Sequence, residues 1–285
     1  MPDKCFIRIV CKFCIECTAE HVTREPELVS KICIALSRHA TALGCVGGAS
    51  GTIRPLRSLL AKMTNSAQPH HITVVHRHFA LACLFSKCYS EALPIINRQI
   101  IGVPEHPTGL HPYDVVVYLY YGGMIYAGLK QYDDSLHCFN LAFTVSTHGP
   151  TPCLVEAFKK YIIISVIVHG SLAPLPRWSS RMQRQLERHV PQYVEVKNAI
   201  EANDLSQVSA KVQQHREIWT ADNNMGLMKQ MLSELRRREV RKLTLTYLTL
   251  SIADIAAKTG LDSSTDAESS LLDMVWCTCA RLYTI

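Results

Sequence analysis

The sequence predicts an all-α protein, a stack of helical hairpins that ends in a helix-turn-helix. Three observations carry this expectation. Apolar residues recur at helical spacing through most of residues 27–250, with no competing run of strict alternation. Clusters of Gly, Pro, Asn and Asp cut the chain at 44–55, 102–114, 148–152, 169–176, 202–206 and 220–226, leaving short helices between short turns. A hairpin-sized pattern also occurs twice at a constant offset.

The opening residues, MPDKCFIRIVCKFCIEC, are apolar, but Arg8 and Lys12 interrupt any signal-peptide core, so residues 1–26 stand as an unplaced leader. Cys11, Cys14, Cys17 and His21 are of the types zinc prefers. Structural zinc sites usually pair two couples across a longer loop. Four ligands crowded near a terminus have little room to close a tetrahedron, so these are weak metal candidates and unligated thiols are expected. Twelve cysteines without a secretory leader fit reduced thiols in an intracellular protein better than a disulfide framework.

Two related hairpins are visible. Gly123, Tyr126, Tyr132, Ser135, Phe139 and Ala142 follow the spacing G-x2-Y-x5-Y-x2-small-x3-F-x2-A of a tetratricopeptide-type hairpin. Ala80, Cys83, Tyr89, Ala92 and Ile96 precede their counterparts by 43 residues. Residues 156–178 keep the helix, glycine turn, helix order more loosely. In this α-solenoid reading Gly122 and Gly123 are packing residues that let two helices approach. A phosphate loop is the rival, yet it needs glycines between a strand and a helix start, with a nearby Lys. His76, His78 and Ser86 reproduce most of the H-x-H-x7-S-x2-D ligand spacing of zinc isopeptidases, but Tyr89 fills the aspartate slot. Solvent-facing or core-edge histidines are expected instead.

After Asp222, Asn223 and Asn224, which offer capping oxygens, Leu227, Met228, Met231, Leu232 and Leu235 form a core-type stripe. The basic run RRREVRK at 236–242 follows. Ser251 and Asp254 then read as a helix start with Ile252, Ile255 and Ala256 facing inward, Gly260 as a turn, and Ser264 to Asp266 as the start of a second helix. That second helix carries Asp266, Glu268 and Asp273 with no Lys or Arg, so it repels a polyanion and DNA readout is disfavoured. A net charge of +6 on 285 residues, mostly from two local clusters, does not argue for nucleic acid either. The apolar stretch from Val115 to Leu129 falls short of the about 20 residues a membrane span needs. No nucleophile elbow, Walker loop or dinucleotide fingerprint is present, so neither catalysis nor a cofactor is expected.

Helical repeats running into a helix-turn-helix resemble the PCI-domain family, shared by the proteasome lid, the COP9 signalosome and a translation initiation factor complex. The stretches YYGGMIYAGLKQY, EAFKKYIIISVIVHG, TADNNMGLMKQMLSEL and RKLTLTYLTLSIADIAAKTGL, with IRPLRSLLAKM and HFALACLFSKCYSEALPII upstream, are similar to the subunit-3 family of the signalosome. The resemblance implies helical repeats at 27–112, a PCI domain at 113–275 with its helical part at 113–240 and a partial winged helix at 241–275, and an unrelated tail at 276–285. It further implies a non-catalytic scaffold in cytoplasm and nucleus. Its partners would be other signalosome subunits, through PCI ring contacts, and indirectly the cullin-RING ligases from which the complex removes NEDD8. A winged helix without its strand pair is expected to join such a complex weakly or not at all. The alternatives are a paralogous PCI subunit of the lid or the initiation factor complex, a winged-helix nucleic-acid binder, and a zinc enzyme built on His76.

Overall fold

A computed structural model describes residues 2–44, 50–66, 72–98, 110–145, 149–175 and 180–246, with 251–252, 254–255, 268 and 271–272. Among these residues all regular structure is helical. Two compact units result: Met1–Ala157 with Pro176–Met182, and Phe158–Leu175 with Gln183–Ile285.

The first unit holds α1 (Pro2–Glu16), α2 (Ala19–Arg24), α3 (Pro26–Ala42), α4 (Ser50–Ser66), α5 (Val74–Phe85), α6 (Tyr89–Ile96), α7 (Pro112–Gly128), α8 (Tyr132–Thr144) and the start of α9 (Pro152–His169). Each layer rests on the next: α1 and α2 on α4, α4 on α5, α5 on α7, and α7 on α8. One core runs through the stack, with Cys14, Cys33, Leu36, Phe79, Ala80, Cys83 and Ile125 fully buried. Helix starts are fixed by side chains. Thr73 and His76 form a capping box at α5, while His111 and Asp114 form one at α7, where Pro112 supplies the preset φ of a first helical residue.

The second unit holds the rest of α9, most of α10 (Ser180–His189), and α11 (Pro191–Glu201), α12 (Leu205–Gln214), α13 (Arg216–Ala221) and α14 (Met225–Thr246). Here α11 packs on α12, and both α12 and α13 pack on α14. Trp219 is fully buried, and its indole N–H donates to the Val212 carbonyl at 3.0 Å.

One turn geometry recurs in both units. Lys87, Lys130, Asn203 and Asn223 each take positive φ, between 55° and 61°, just past a helix end. The following amide closes onto the carbonyl five residues back in every case: Cys88 to Cys83, Gln131 to Tyr126, Asp204 to Ala199, and Asn224 to Trp219. This is the Schellman ending, which satisfies carbonyls the helix leaves open. Lys87 and Lys130 stand 43 residues apart, so the turn obeys the same offset as the packing positions.

Several boundaries differ from the sequence reading. Within residues 1–26, which the sequence leaves as an unplaced leader, Ile7, Val10, Cys14 and Val22 enter the core, because positions 7, 10 and 14 share one helical face. The break read at 44–55 ends by Ser50, since α4 contains Gly51 and carries Pro55 inside it. The division placed at 112/113 falls within the first unit, where α7 rests on α5. The division placed at 240/241 falls inside α14, which runs through the basic segment to Thr246. Ala256, Gly260, Ser264 to Asp266, Asp273 and the 276–285 tail lie outside the described residues.

Candidate functional site

The paired glycines sit in the middle of α7, facing α8, and their surroundings differ. A Cβ on Gly123 would lie 2.5 Å from Phe139 Cε1 and 2.7 Å from Cζ. One on Gly122 would make ordinary contacts, 3.6 Å to Ile96 Cγ2 and 3.7 Å to Cys138 Sγ. Ser135 Oγ donates to the Gly123 carbonyl at 2.8 Å, so the second helix also hydrogen-bonds the backbone it approaches. Tyr126 is buried and donates to Asn97 Oδ1 at 2.6 Å; Tyr132 is half-buried at the start of α8. Tyr89, the counterpart of Tyr132 in the upstream hairpin, leans on Gly128 at the end of α7.

In the second unit a polar network joins three segments. Lys159 Nζ donates to Asp222 Oδ1, Tyr193 Oη to Asp222 Oδ2, Asn224 Nδ2 to Tyr193 Oη, and Lys160 Nζ to Asn224 Oδ1, each at 2.8 Å. Asn224 is fully buried and Lys160 nearly so. Asp222 and Asn224, two of the three residues expected to cap α14, are thus committed to the interior, tying α9 and α11 to the α13–α14 turn. The signal missed in the sequence was Lys159-Lys160 inside the mostly apolar α9. Two ammonium groups on a buried helix require buried acceptors. In the stripe on α14, Met228, Met231 and Leu235 are buried while Leu227 and Leu232 are half-buried.

The basic run is largely occupied internally. Arg238 donates to the Ile167 carbonyl at 3.0 Å and crosses Gly170, whose φ of +80° ends α9. A cation there satisfies carbonyls at a helix C-terminus. Arg237 pairs with Glu234 at 2.9 Å and Lys242 with Glu239 at 2.5 Å. In the first unit Lys62 caps α1 the same way, donating to the Cys14 and Ile15 carbonyls at 3.1 and 2.6 Å.

The metal candidates do not gather as a ligand set. Cys14 is fully buried, Cys11 and Cys17 half-buried, and exposed His21 meets Thr18 through Nδ1. Burial, with Cys11 and Cys17 nearby, pushes the Cys14 thiol up to about 12, and burial does the same to Cys33. Zinc needs thiolates, and this setting favours thiols. Among the described residues no group of three or more His, Cys, Asp or Glu is placed to hold a metal ion. His76 and His78 are buried rather than solvent-facing. His76 Nδ1 accepts from the Thr73 amide at 3.0 Å, and His78 Nδ1 meets Ser37 Oγ at 2.7 Å. Burial holds their pKa values down to about 4 and about 3, so both are neutral packing groups at pH 7.

Near the C-terminus, the Ser251 hydroxyl accepts from the Asp254 amide at 3.1 Å and donates to its carboxylate at 2.6 Å. Ile255 is buried, but Ile252, expected to face inward, is 41% exposed. Among the described residues no helix is long and apolar enough to cross a membrane.

Comparison with known proteins follows this division of the chain. The family model described as COP9 signalosome complex subunit 3, N-terminal helical repeats, matches residues 3–183, and the PCI domain model matches residues 212–276. The first match begins inside α1 and so takes in the segment read as a leader. Two curated relatives carry the name COP9 signalosome complex subunit 3. The protein of Dictyostelium discoideum is 30% identical over 221 residues, covering 77% of this chain and 53% of the relative. That of Arabidopsis thaliana is 30% identical over 271 residues, covering 94% of this chain and 61% of the relative. The chain thus spans between half and two thirds of the length of these relatives. A proteasome-lid or initiation-factor paralogue is not favoured by these matches. With a helical-repeat match over more than half of its length and a PCI match after it, the chain belongs to the COP9 signalosome subunit 3 family.

Proposed function

We propose that the chain is a non-catalytic scaffold subunit of the COP9 signalosome, joining other subunits through its PCI-type region and meeting cullin-RING ligases only through the assembled complex. The observation that carries this is the order of the two family matches on one folded chain, repeats first and PCI second. The chemistry of the side chains supports it. Those that invite a catalytic or metal reading, His76, His78 and Cys14, are neutral and spent on helix caps and core contacts. The three-segment polar network supports a rigid second unit, the property a docking platform needs. A scaffold of this kind works in cytoplasm and nucleus, without membrane or nucleic acid as partner.

Co-expression of the tagged chain with the remaining signalosome subunits tests the proposal. The expected result is recovery of those subunits with the chain, read by native mass spectrometry, and no release of NEDD8 from a neddylated cullin by the chain alone. Recovery of the chain without any signalosome subunit would refute the scaffold role, and cullin deneddylation by the isolated chain would refute its non-catalytic character.

A further inference from the structure

A half-open cleft of about 680 Å³ lies between α6, α7 and α8, within the ~300–1,000 Å³ typical of ligand pockets. Its floor is α7, where Gly122 contributes no side chain, and Leu119 and Leu141 give it apolar walls. Polar groups collect beside the C-terminal end of α6. Asn97 accepts from Tyr126 Oη through its oxygen, which leaves its amide nitrogen as a donor. Exposed Arg98 follows and makes no ion pair among the described residues. Tyr118 lines the same cleft, is 2% exposed, and has a buried hydroxyl without a hydrogen-bond partner among the described residues.

That hydroxyl needs an explanation, because an unmade buried hydrogen bond is costly and native interiors leave few. The cleft is also electrically polarised. Arg98 acts on Tyr118 and His76, while Asp134 acts on Tyr126 and Cys138, so one end is positive and another wall negative. An acid-rich segment laid through the cleft would be repelled at Asp134. An occupant with one negative charge at its tip avoids this, and its backbone N–H groups are donors that Asp134 can accept.

We propose that this cleft captures the free C-terminal carboxylate of a partner polypeptide, seated against Arg98, Asn97 and the Tyr118 hydroxyl, with the last apolar side chain against Leu119 and Leu141. Terminal carboxylates are recognised elsewhere by converging donors of this kind.

Fluorescence anisotropy on the full 285-residue chain tests it, using fluorescein-labelled Gly-Ser-Gly-Ser-Leu-Phe as the free acid, the same peptide as its C-terminal amide, and an amide peptide with two internal glutamates. Saturable binding of the free acid is expected, with the amide and the internal-acid peptide about ten-fold weaker or more. Arg98→Gln weakens the free acid by a similar factor. Tyr118→Phe weakens it several-fold while leaving the urea midpoint unchanged or raised, because it removes a hydroxyl with no partner. The proposal is overturned if acid and amide bind alike, if the internal-acid peptide binds tighter, if both variants bind as the parent does, or if nothing saturates below about 1 mM.

Discussion

Alanine at the two adjacent glycines of α7 should have opposite effects. Both positions are interior to one helix, so each substitution gains the same helix propensity, about 1 kcal/mol. That gain cancels when the two variants are compared, and only the space around each new methyl remains. At Gly122 the methyl meets Ile96 and Cys138 at 3.6 and 3.7 Å, which is ordinary contact. At Gly123 it meets three atoms of the Phe139 ring at 2.5 to 2.9 Å, where carbon pairs rest at about 3.5–4.0 Å. The ring edge must therefore retreat by about 1 Å, and it has nowhere to go, since Phe139, Ser135 and Ala142 are all fully buried. Overpacking of this kind costs about 1–3 kcal/mol. Gly122→Ala is expected to raise the stability by up to about 1 kcal/mol, and Gly123→Ala to lower it by up to about 2 kcal/mol net. Urea unfolding followed by circular dichroism reads the difference as a shift in midpoint at constant slope. Phe139→Leu in the Gly123→Ala background should recover part of the loss, giving a coupling that the same pair of changes around Gly122 lacks. Equal midpoints for the two single variants would show that the hairpin is not wedged at Gly123.

Acid should destabilise the first unit well above the range in which carboxylates titrate. His76 and His78 are held near 4 and 3, below the ordinary 6.5 that the unfolded chain recovers. The stability they confer is complete above pH ~6.5 and is lost as pH falls toward 4 and then 3, by about 1.4 kcal/mol per unit for each histidine. Urea midpoints at pH 7, 6 and 5 should fall accordingly, His78→Gln should remove about half of the slope, and a flat profile would contradict it. Tyr193→Phe should cost about 1–3 kcal/mol by stranding Asn224 Nδ2 and one Asp222 oxygen, whereas Lys160→Met with Asn224→Leu should cost less than Lys160→Met alone; thermal melts of the three variants decide this. Lys62→Met should cost about 1 kcal/mol by uncapping α1, visible as faster amide exchange at Cys14 to Cys17, and unchanged exchange would remove Lys62 from that role.

Hairpin order was legible because it rests on spacing. The 43-residue offset located both hairpins, and Asn203 and Asn223 marked two turns, since Asn tolerates the left-handed conformation. Lys87 and Lys130 adopt the same conformation without any such signal, as lysine is not a turn-former. Only the repeat relation links them, so a turn found at one predicts a turn at the other. Residues 1–26 stay unplaced in the sequence for a different reason. Arg8 and Lys12 interrupt the apolar run and mask the face shared by Ile7, Val10 and Cys14. The polar network was not legible as a network, because its members come from α9, α11 and the α13–α14 turn, and pairing between distant segments leaves no mark in spacing.

The same contrast separates packing from function among the titratable groups. Functional sites shift pKa values by combining desolvation with a specific charge inside a cleft. For Cys11, Cys14, Cys33, Cys83, His76 and His78 burial is the leading cause, and in each case it drives the group toward its neutral form. A neutral thiol or imidazole enclosed by apolar neighbours is a packing element whatever motif its spacing imitates. Tyr118 departs from this pattern in its setting. Burial raises its pKa too, but it lines a cleft open to a ligand, with exposed Arg98 on the same lining. Sequence spacing marked its neighbours Gly122 and Tyr126 as wedge and filler, and the structure adds that the space kept open beside them carries Arg98 and Asp134 in its lining, opposite charges in one cleft.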